Sequence, residues 1–537
     1  MKSSIRNILI GALAMVIVAF ASPSDRYFSI AKNLDIFASL FREVNSYYVD
    51  DTDPEQLTKI AIEAMLESLD PYTNYIPEED AEAFMTSTTG EYAGIGAQIS
   101  IIENEAYISM LYKGFAAEKA GLHVGDKIVK ANGSETINKS VSEISTILKG
   151  RARSKANIQI IRPGVKDTLS FDVVREKITV NNVPYYGLIG GTKIGYILLD
   201  DFTTDAGKEV GSAVKSLKSD GAKAVILDLR NNLGGLLSEA VNVSNVFIPK
   251  NRVVVSTRGR VEEWNRTYKT LDGATEDQIP LAVLVNGESA SAAEIVAGVI
   301  QDYDRGVLIG TQTFGKGLVQ TSRPLTYNNR VKITTARYYI PSGRCIQELE
   351  YGDHADDTVT REAKIFKTKA GREVYDKGGL MPDILVEEPN AKSITVELFV
   401  EGLLFKYANY FHSQYPNTTF EVSQFSNFKS WLNNNNFKYH SPFNQSIDSL
   451  YEMAKKEKQD QRVLDNILKL KKPLNETDAE LERAKSEIVR LIRQELGARK
   501  ELQAGEIKST LNEDEAILIA LKMFQNQNYY KKLLSSN

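Results

Sequence analysis

The chain has 537 residues, 42% of them hydrophobic and 25% charged, enough for about three or four domains with sizeable cores. Its 65 basic and 70 acidic side chains leave a net charge of −5, which argues against nucleic acid as the main partner. The one cysteine, Cys345, excludes an internal disulfide and a cysteine-rich zinc site, and the scattered His123, His354, His412 and His440 never form a His-x-x-x-His pair, so no metal is expected.

In chain order, Lys2 and Arg6 precede an apolar stretch from Ile8 to Phe20 that is too short for a comfortable membrane span. Ala19-Phe20-Ala21 fits a small-x-small cleavage site, so residues 1–22 read as a secretory signal peptide, an uncleaved anchor being the alternative. Residues 24–84 carry helical spacing at Phe37, Leu40, Phe41 and Val44 and again at Ile60, Ala61, Ala64, Met65 and Leu66, until "LDPYTNYIP" breaks it. This region reads as a helical cap or dimerisation arm. Residues 85–176 hold the short strands "AYISML", "DKIVKA", "NIQIIR" and "TLSFDVV" and the amphipathic helix "SVSEISTILKG", which suggests a small, partly open barrel.

Residues 177–390 alternate strand and helix. "IGYILLD", "AVILDL" and "LAVLVN" are continuous apolar runs, the pattern of parallel strands buried on both faces, with helices expected near 206–219, 235–247 and 292–302. "VKITTARYYIPSG" reads as a further strand. Residues 391–537 read as a mostly helical region, in which Leu481, Ala484, Ile488, Leu491 and Ile492 mark one apolar face behind a cap at Asn475.

The stretch "GESASAAEIVAG", residues 287–298, sets Ser289 and Ser291 among small residues at a helix start. A serine hydroxyl needs a base to take its proton, and no histidine lies near it in the sequence. Lysine can be that base only when neutral, a state that burial favours. Lys316 in "GTQTFGKGLVQ", between Gly315 and Gly317 and followed by Leu318-Val319, is the candidate. A helix beginning near Ala292 offers its free Ala292 N–H to a developing oxyanion, and "DLRNNLGGLL" brings a second glycine-rich turn that can offer another.

Together, "NGESASAAEIVAGVIQDYDRGVLIG", "TFGKGLVQ" and "LDLRNNLGG" resemble the carboxy-terminal processing, or tail-specific, protease family. "GIGAQI" with "KAGLHVGDKIVKANG" resembles that family's PDZ domain, and "ARYYIPSGRCIQ" with "GGLMPDILVEE" the end of its core. The resemblance covers roughly residues 35–390. It implies an α/β core related to the crotonase and Clp protease folds, with an inserted α+β PDZ domain and helical N- and C-terminal regions. The implied division is a signal peptide at 1–22, a helical region at 24–84, PDZ at 85–176, peptidase core at 177–390 and a helical region at 391–537.

By motif position the resemblance assigns Ser291 as nucleophile, Lys316 as general base and Gln320 as the residue positioning the lysine amine. It assigns Gly235 and Ala292 as backbone oxyanion donors, Glu294 and Asp302 as supporting residues, and Arg230 as organiser of its loop. Ser289 is then a neighbour. In the PDZ segment, Gly94, Ile95, Gly96 and Ala97 would receive a peptide's terminal carboxylate. The strand from Gln98 to Ile102 would pair with the peptide, and Val141, Ile144, Ser145 and Leu148 would form the opposite wall, selecting an apolar C-terminus. The expectation is an exported, periplasmic serine endopeptidase that needs no cofactor and acts on proteins with accessible apolar C-termini. An adaptor or a second copy could bind its helical regions. The alternatives are a catalytically silent PDZ scaffold and an α/β binding protein.

Overall fold

Strands that are apolar at every position need cover on both faces, and the central sheet has it. The computed structural model describes residues 26–81, 84, 90–348, 363–376, 378–387, 390–416, 418–471 and 476–535. The expected signal peptide, His354 and the Asn475 cap lie outside the described residues. The central sheet has six strands in the order Tyr185–Leu188, Ile194–Leu198, Ala224–Asp228, Leu281–Val285, Val307–Gly310 and Ile384–Leu385. The first pair is antiparallel and all later pairs are parallel.

Side chains alternate between the two faces, as the pleat requires. Ile197, Val225, Leu227, Val283 and Val285 turn to the helices Ala206–Ser219, Leu237–Phe247 and Ala292–Asp302. Tyr196, Ile226, Ala282, Leu284 and Ile309 turn the other way and are covered by Ala516, Ile517, Ala520 and Met523 of the helix Glu515–Gln525. The far end of the chain thus supplies the second layer over the sheet, which sequence periodicity did not reveal. Asp514 caps that helix by accepting from the Ile517 N–H at 3.0 Å.

A second sheet flanks the first. Its strand Arg330–Tyr339 pairs with Val253–Gly259, with Leu318–Pro324 and with the short strand Asn74–Ile76, all antiparallel. The "DPYTNYIP" segment therefore lies on the sheet that carries the residues following Lys316.

The strands Ala97–Ile102, Glu105–Leu111, Lys127–Ala131, Lys155–Ile161 and Leu169–Val174 form one antiparallel sheet around Ile108, Ile128, Ile158 and Ile160. The helix Val141–Leu148 packs beside it, opened by a capping box between Ser140 and Glu143. Phe405, from the C-terminal helix Leu403–Gln414, inserts into this same core and meets the Tyr107 ring edge-on at 5.6 Å. The C-terminal helices have their own core around Tyr407, Phe411, Phe428, Ile488 and Ile492. The helix over residues 26–47 leaves Phe37 and Leu40 exposed.

Ile517 is 1% exposed against the sheet. Ile517→Ala is expected to lower unfolding free energy by ~2–4 kcal/mol, read from urea denaturation. A change within about 0.5 kcal/mol would show that this helix does not carry the second face of the sheet.

Candidate active site

The fully buried strand Leu281–Val285 ends at Asn286, and the turn that follows is fixed from below. The Asn286 N–H donates to Ser289 Oγ at 2.9 Å, and that hydroxyl donates to the Leu229 carbonyl at 2.8 Å. Ser289, 0% exposed, therefore ties together the ends of two neighbouring strands. Ser291 opens the helix Ala292–Asp302 with φ 54° and ψ −111°, a region rarely adopted by a side-chain-bearing residue. Such strain persists only where the surroundings enforce it.

They do so through Glu294, which is 0% exposed. Its Oε2 accepts from the Ser291 N–H and from the Lys316 N–H, each at 2.9 Å. One carboxylate oxygen thus brings the two backbone nitrogens within two hydrogen-bond lengths of each other. Its Oε1 accepts from Thr313 Oγ1 at 2.6 Å and from the Gly315 N–H at 2.8 Å. The buried Tyr338 hydroxyl reaches the carbonyl oxygens of both Ser291 (3.2 Å) and Lys316. Glycine is required at 315, where φ is 86° and an added Cβ would come within 2.8 Å of the Glu348 Cβ and 3.0 Å of the Gly379 nitrogen.

Burial pushes the Glu294 carboxyl up to about 7, against the hydrogen bonds from Thr313, Lys316, Gly315 and Ser291 that favour its anion. Burial likewise pushes the Lys316 amine down to about 8. Lys332 adds to that effect, and the Glu294 and Asp70 carboxylates oppose it. The amine lies 4.5 Å from the centroid of the Tyr72 ring. Among the described residues no hydrogen bond joins it to Ser291 Oγ or to Gln320. The Gln320 amide donates instead to Thr334 Oγ1 at 3.2 Å. The expected contact between Gln320 and the amine is thus not made here, because the ring face attracts the amine and Thr334 takes the amide.

Gly234 is pressed against the serine turn. A Cβ there would fall 2.7 Å from the Ala290 oxygen and 2.8 Å from the Ala292 nitrogen. Gly235, with φ 150°, lies on the Phe202 backbone. Among the described residues neither the Gly235 nor the Ala292 N–H has an acceptor. The loop between is pinned by Asn231, which exchanges hydrogen bonds with Asn286, and by Asn232, which donates to the Leu199 carbonyl and accepts from Gly234. Arg230 grips Asp228 at 2.6 Å and Asp514 at 2.8 Å, linking the loop to the C-terminal helix. Asp302 is remote in role: buried, it pairs with Arg344 at 2.8 Å and accepts from the Ser342 N–H. Among the described residues no cluster of His, Cys, Asp or Glu could hold a metal ion.

Of the other predicted residues, Gly94, Ile95, Ala97, Val141, Ser145 and Leu148 line a separate groove of about 400 Å³, and Gly96 does not. The strand Ala97–Ile102 is an edge of its sheet, and the Ile95 and Gly96 N–H groups have no acceptor among the described residues. Ile144 is an exception to the expectation. It is 0% exposed inside the small domain's core, because the helix has a second apolar side turned inward.

Comparison with known proteins gives the family. Residues 193–355 match the family model of peptidase family S41, residues 107–162 that of the PDZ domain, and residues 394–524 that of a probable PDZ-protease C-terminal helical domain. A carboxy-terminal-processing protease of Bartonella bacilliformis is 35% identical over 380 residues, covering 70% of this chain and 80% of that one. The chain belongs to the carboxy-terminal processing proteases of family S41. The carboxy-terminal processing protease CtpA of Bacillus subtilis is also 35% identical, over 366 residues, covering 68% of this chain and 77% of its own. A solved photosystem II D1 C-terminal processing protease is 28% identical, with 65% of this chain and 92% of that chain covered and a TM-score of 0.36.

Within this family member, Asp70, Tyr72, Thr313, Thr334, Tyr338 and Asp514 are among the residues around the site that escaped the sequence reading. Tyr338 stood inside the quoted "ARYYIPSG", but nothing local marks its hydroxyl as a bridge between two loops. The two serines differ in what they hold. Ser289→Ala removes a buried hydroxyl that joins two strand ends and is expected to lower stability by ~1–3 kcal/mol. Ser291→Ala is expected to stay within about 0.5 kcal/mol. Urea unfolding of the two variants side by side checks this.

Proposed function

We propose that this protein is a serine endopeptidase that engages a protein C-terminus in the PDZ groove and cleaves with Ser291 and Lys316 through an acyl-enzyme. The observation that carries it is the Glu294 carboxylate, which accepts from the backbone of both residues beside an amine that burial lowers to about 8. The parallel run of five strands flanked by helices is what a crotonase- or Clp-like core would present. The apolar stretch from Ile8 to Phe20 supports export to the periplasm.

In this mechanism the Lys316 amine leaves the Tyr72 ring and meets Ser291 Oγ. It takes the hydroxyl proton as Oγ attacks the scissile carbonyl. The Gly235 and Ala292 N–H groups stabilise the oxyanion, each worth about 3–4 kcal/mol. The ammonium then protonates the leaving amine, and water, activated by the same amine, releases the acyl group. Gln320 would steady the amine once it turns from the ring. Arg230 keeps the glycine loop in place, and Asp302 supports the far end of the helix.

The test is cleavage of a protein with an apolar C-terminus. Ser291→Ala and Lys316→Ala are each expected to reduce kcat by ~10⁴-fold or more. Cleavage that survives either change overturns the dyad. Because only the neutral amine accepts a proton, kcat/KM should rise about tenfold per pH unit and level off above about pH 8. A flat profile through that range contradicts the lysine's role. EDTA is expected to leave the rate unchanged.

A further inference from the structure

The segment between the two N-terminal helical stretches and the second sheet is built to hold one ring in one place. Asp70 folds the turn: its Oδ1 accepts from the Tyr72 N–H at 2.8 Å and the Thr73 N–H at 2.9 Å, and its Oδ2 accepts from Thr73 Oγ1 at 2.9 Å. Thr334 then fastens the turn to the sheet, its N–H donating to Thr73 Oγ1 at 3.1 Å and its hydroxyl to Asp70 Oδ1 at 3.2 Å. The strand Asn74–Ile76 continues the attachment, with Tyr75 opposite Val331. Gln320 donates to the same Thr334 hydroxyl, so the turn and the residue expected to steady the amine share one anchor. The outcome is the Tyr72 ring set 4.5 Å from the Lys316 amine.

We propose that Tyr72 is a positioning residue for the reaction: its ring closes the chamber around the Lys316 amine and keeps water from it. The inference rests on Lys316 being the base. A ring has two opposed effects on an amine. It excludes water, which disfavours the ammonium, and its face attracts the ammonium, by ~0.5–2 kcal/mol. The charged groups facing the amine are Lys332 from the adjacent strand, Glu294 from the helix and Asp70 from the turn. Two of these three charges raise the amine's affinity for a proton, yet it lies well below an ordinary lysine, with burial the leading cause. Burial therefore outweighs the attraction of the two carboxylates, and the ring at 4.5 Å is part of what covers the amine.

The experiment is the pH dependence of kcat/KM for the full chain, from about pH 6 to about pH 10. Tyr72→Ala admits water and is expected to move the midpoint of the acid limb up by about one pH unit, seen as a roughly tenfold loss on that limb that recovers at high pH. Tyr72→Phe should retain the wild-type midpoint. Tyr72→Leu, which excludes water without a ring face, should not raise it. Should Tyr72→Ala unfold, Tyr72→Gln, which brings hydrogen-bonding groups to the amine, is expected to raise the midpoint likewise. A wild-type midpoint in the variant that admits water, or a loss of rate equal at every pH, overturns the proposal. Wild-type cleavage that has no acid limb, or that survives Lys316→Ala, removes the dyad itself, so the two failures are told apart.

Discussion

One buried carboxylate joins the two halves of the site. Glu294 sits in the first turn of the helix that Ser291 opens, where the free N–H groups and the positive helix end favour an anion. Its two oxygens take four donors, from Ser291, Thr313, Gly315 and Lys316. A carboxylate removed from water is expensive unless its lone pairs are filled, and here filling them requires that two loops converge. The strained backbone of Ser291, the glycine at 315 and the Tyr338 hydroxyl all follow from that convergence. The expense shows in the carboxyl itself, which burial holds near 7 despite every donor.

Much of the fold was legible because its signals are local. Continuous apolar runs marked the inner strands, and small residues after "LAVLVN" marked the turn into the helix of Ser291. The glycines around Lys316 marked a backbone that had to bend and approach another segment. What stayed hidden depends on pairing between distant segments. "DPYTNYIP" shows a break in a helical pattern, but the function of its ring is set by Arg330–Tyr339, far along the chain. Asp514 caps its helix with one oxygen, and its second oxygen holds Arg230 beside the glycine loop, a link between residues far apart in the chain. Ile144 was assigned to the groove because a helical wheel identifies an apolar side without saying which of two apolar neighbours it faces.

The small peptide-binding domain is fastened where its sequence gives no hint. Phe405 completes its core, Arg499 lies 4.6 Å from the Phe405 ring, and Asn409 donates to the Gly125 carbonyl at 3.4 Å. On the other side the ion pair from Lys406 reaches Glu103. The domain and the helix Leu403–Gln414 therefore share packed side chains, and a displacement of one is felt by the other. The same C-terminal region holds Arg230 through Asp514, so it touches both the small domain and the loop that carries Gly235.

The cover supplied by Glu515–Gln525 has a consequence for biosynthesis. A nascent chain presents the pleated surface of Tyr196, Ile226, Ala282 and Leu284 bare until the ribosome has passed residue 525. Such a surface is sticky, and holding it apart from other chains is work for a chaperone. The order of translation thereby sets the order of cover: all six strands are made by residue 385, but no chain that ends before Glu515 shields the second face of the sheet.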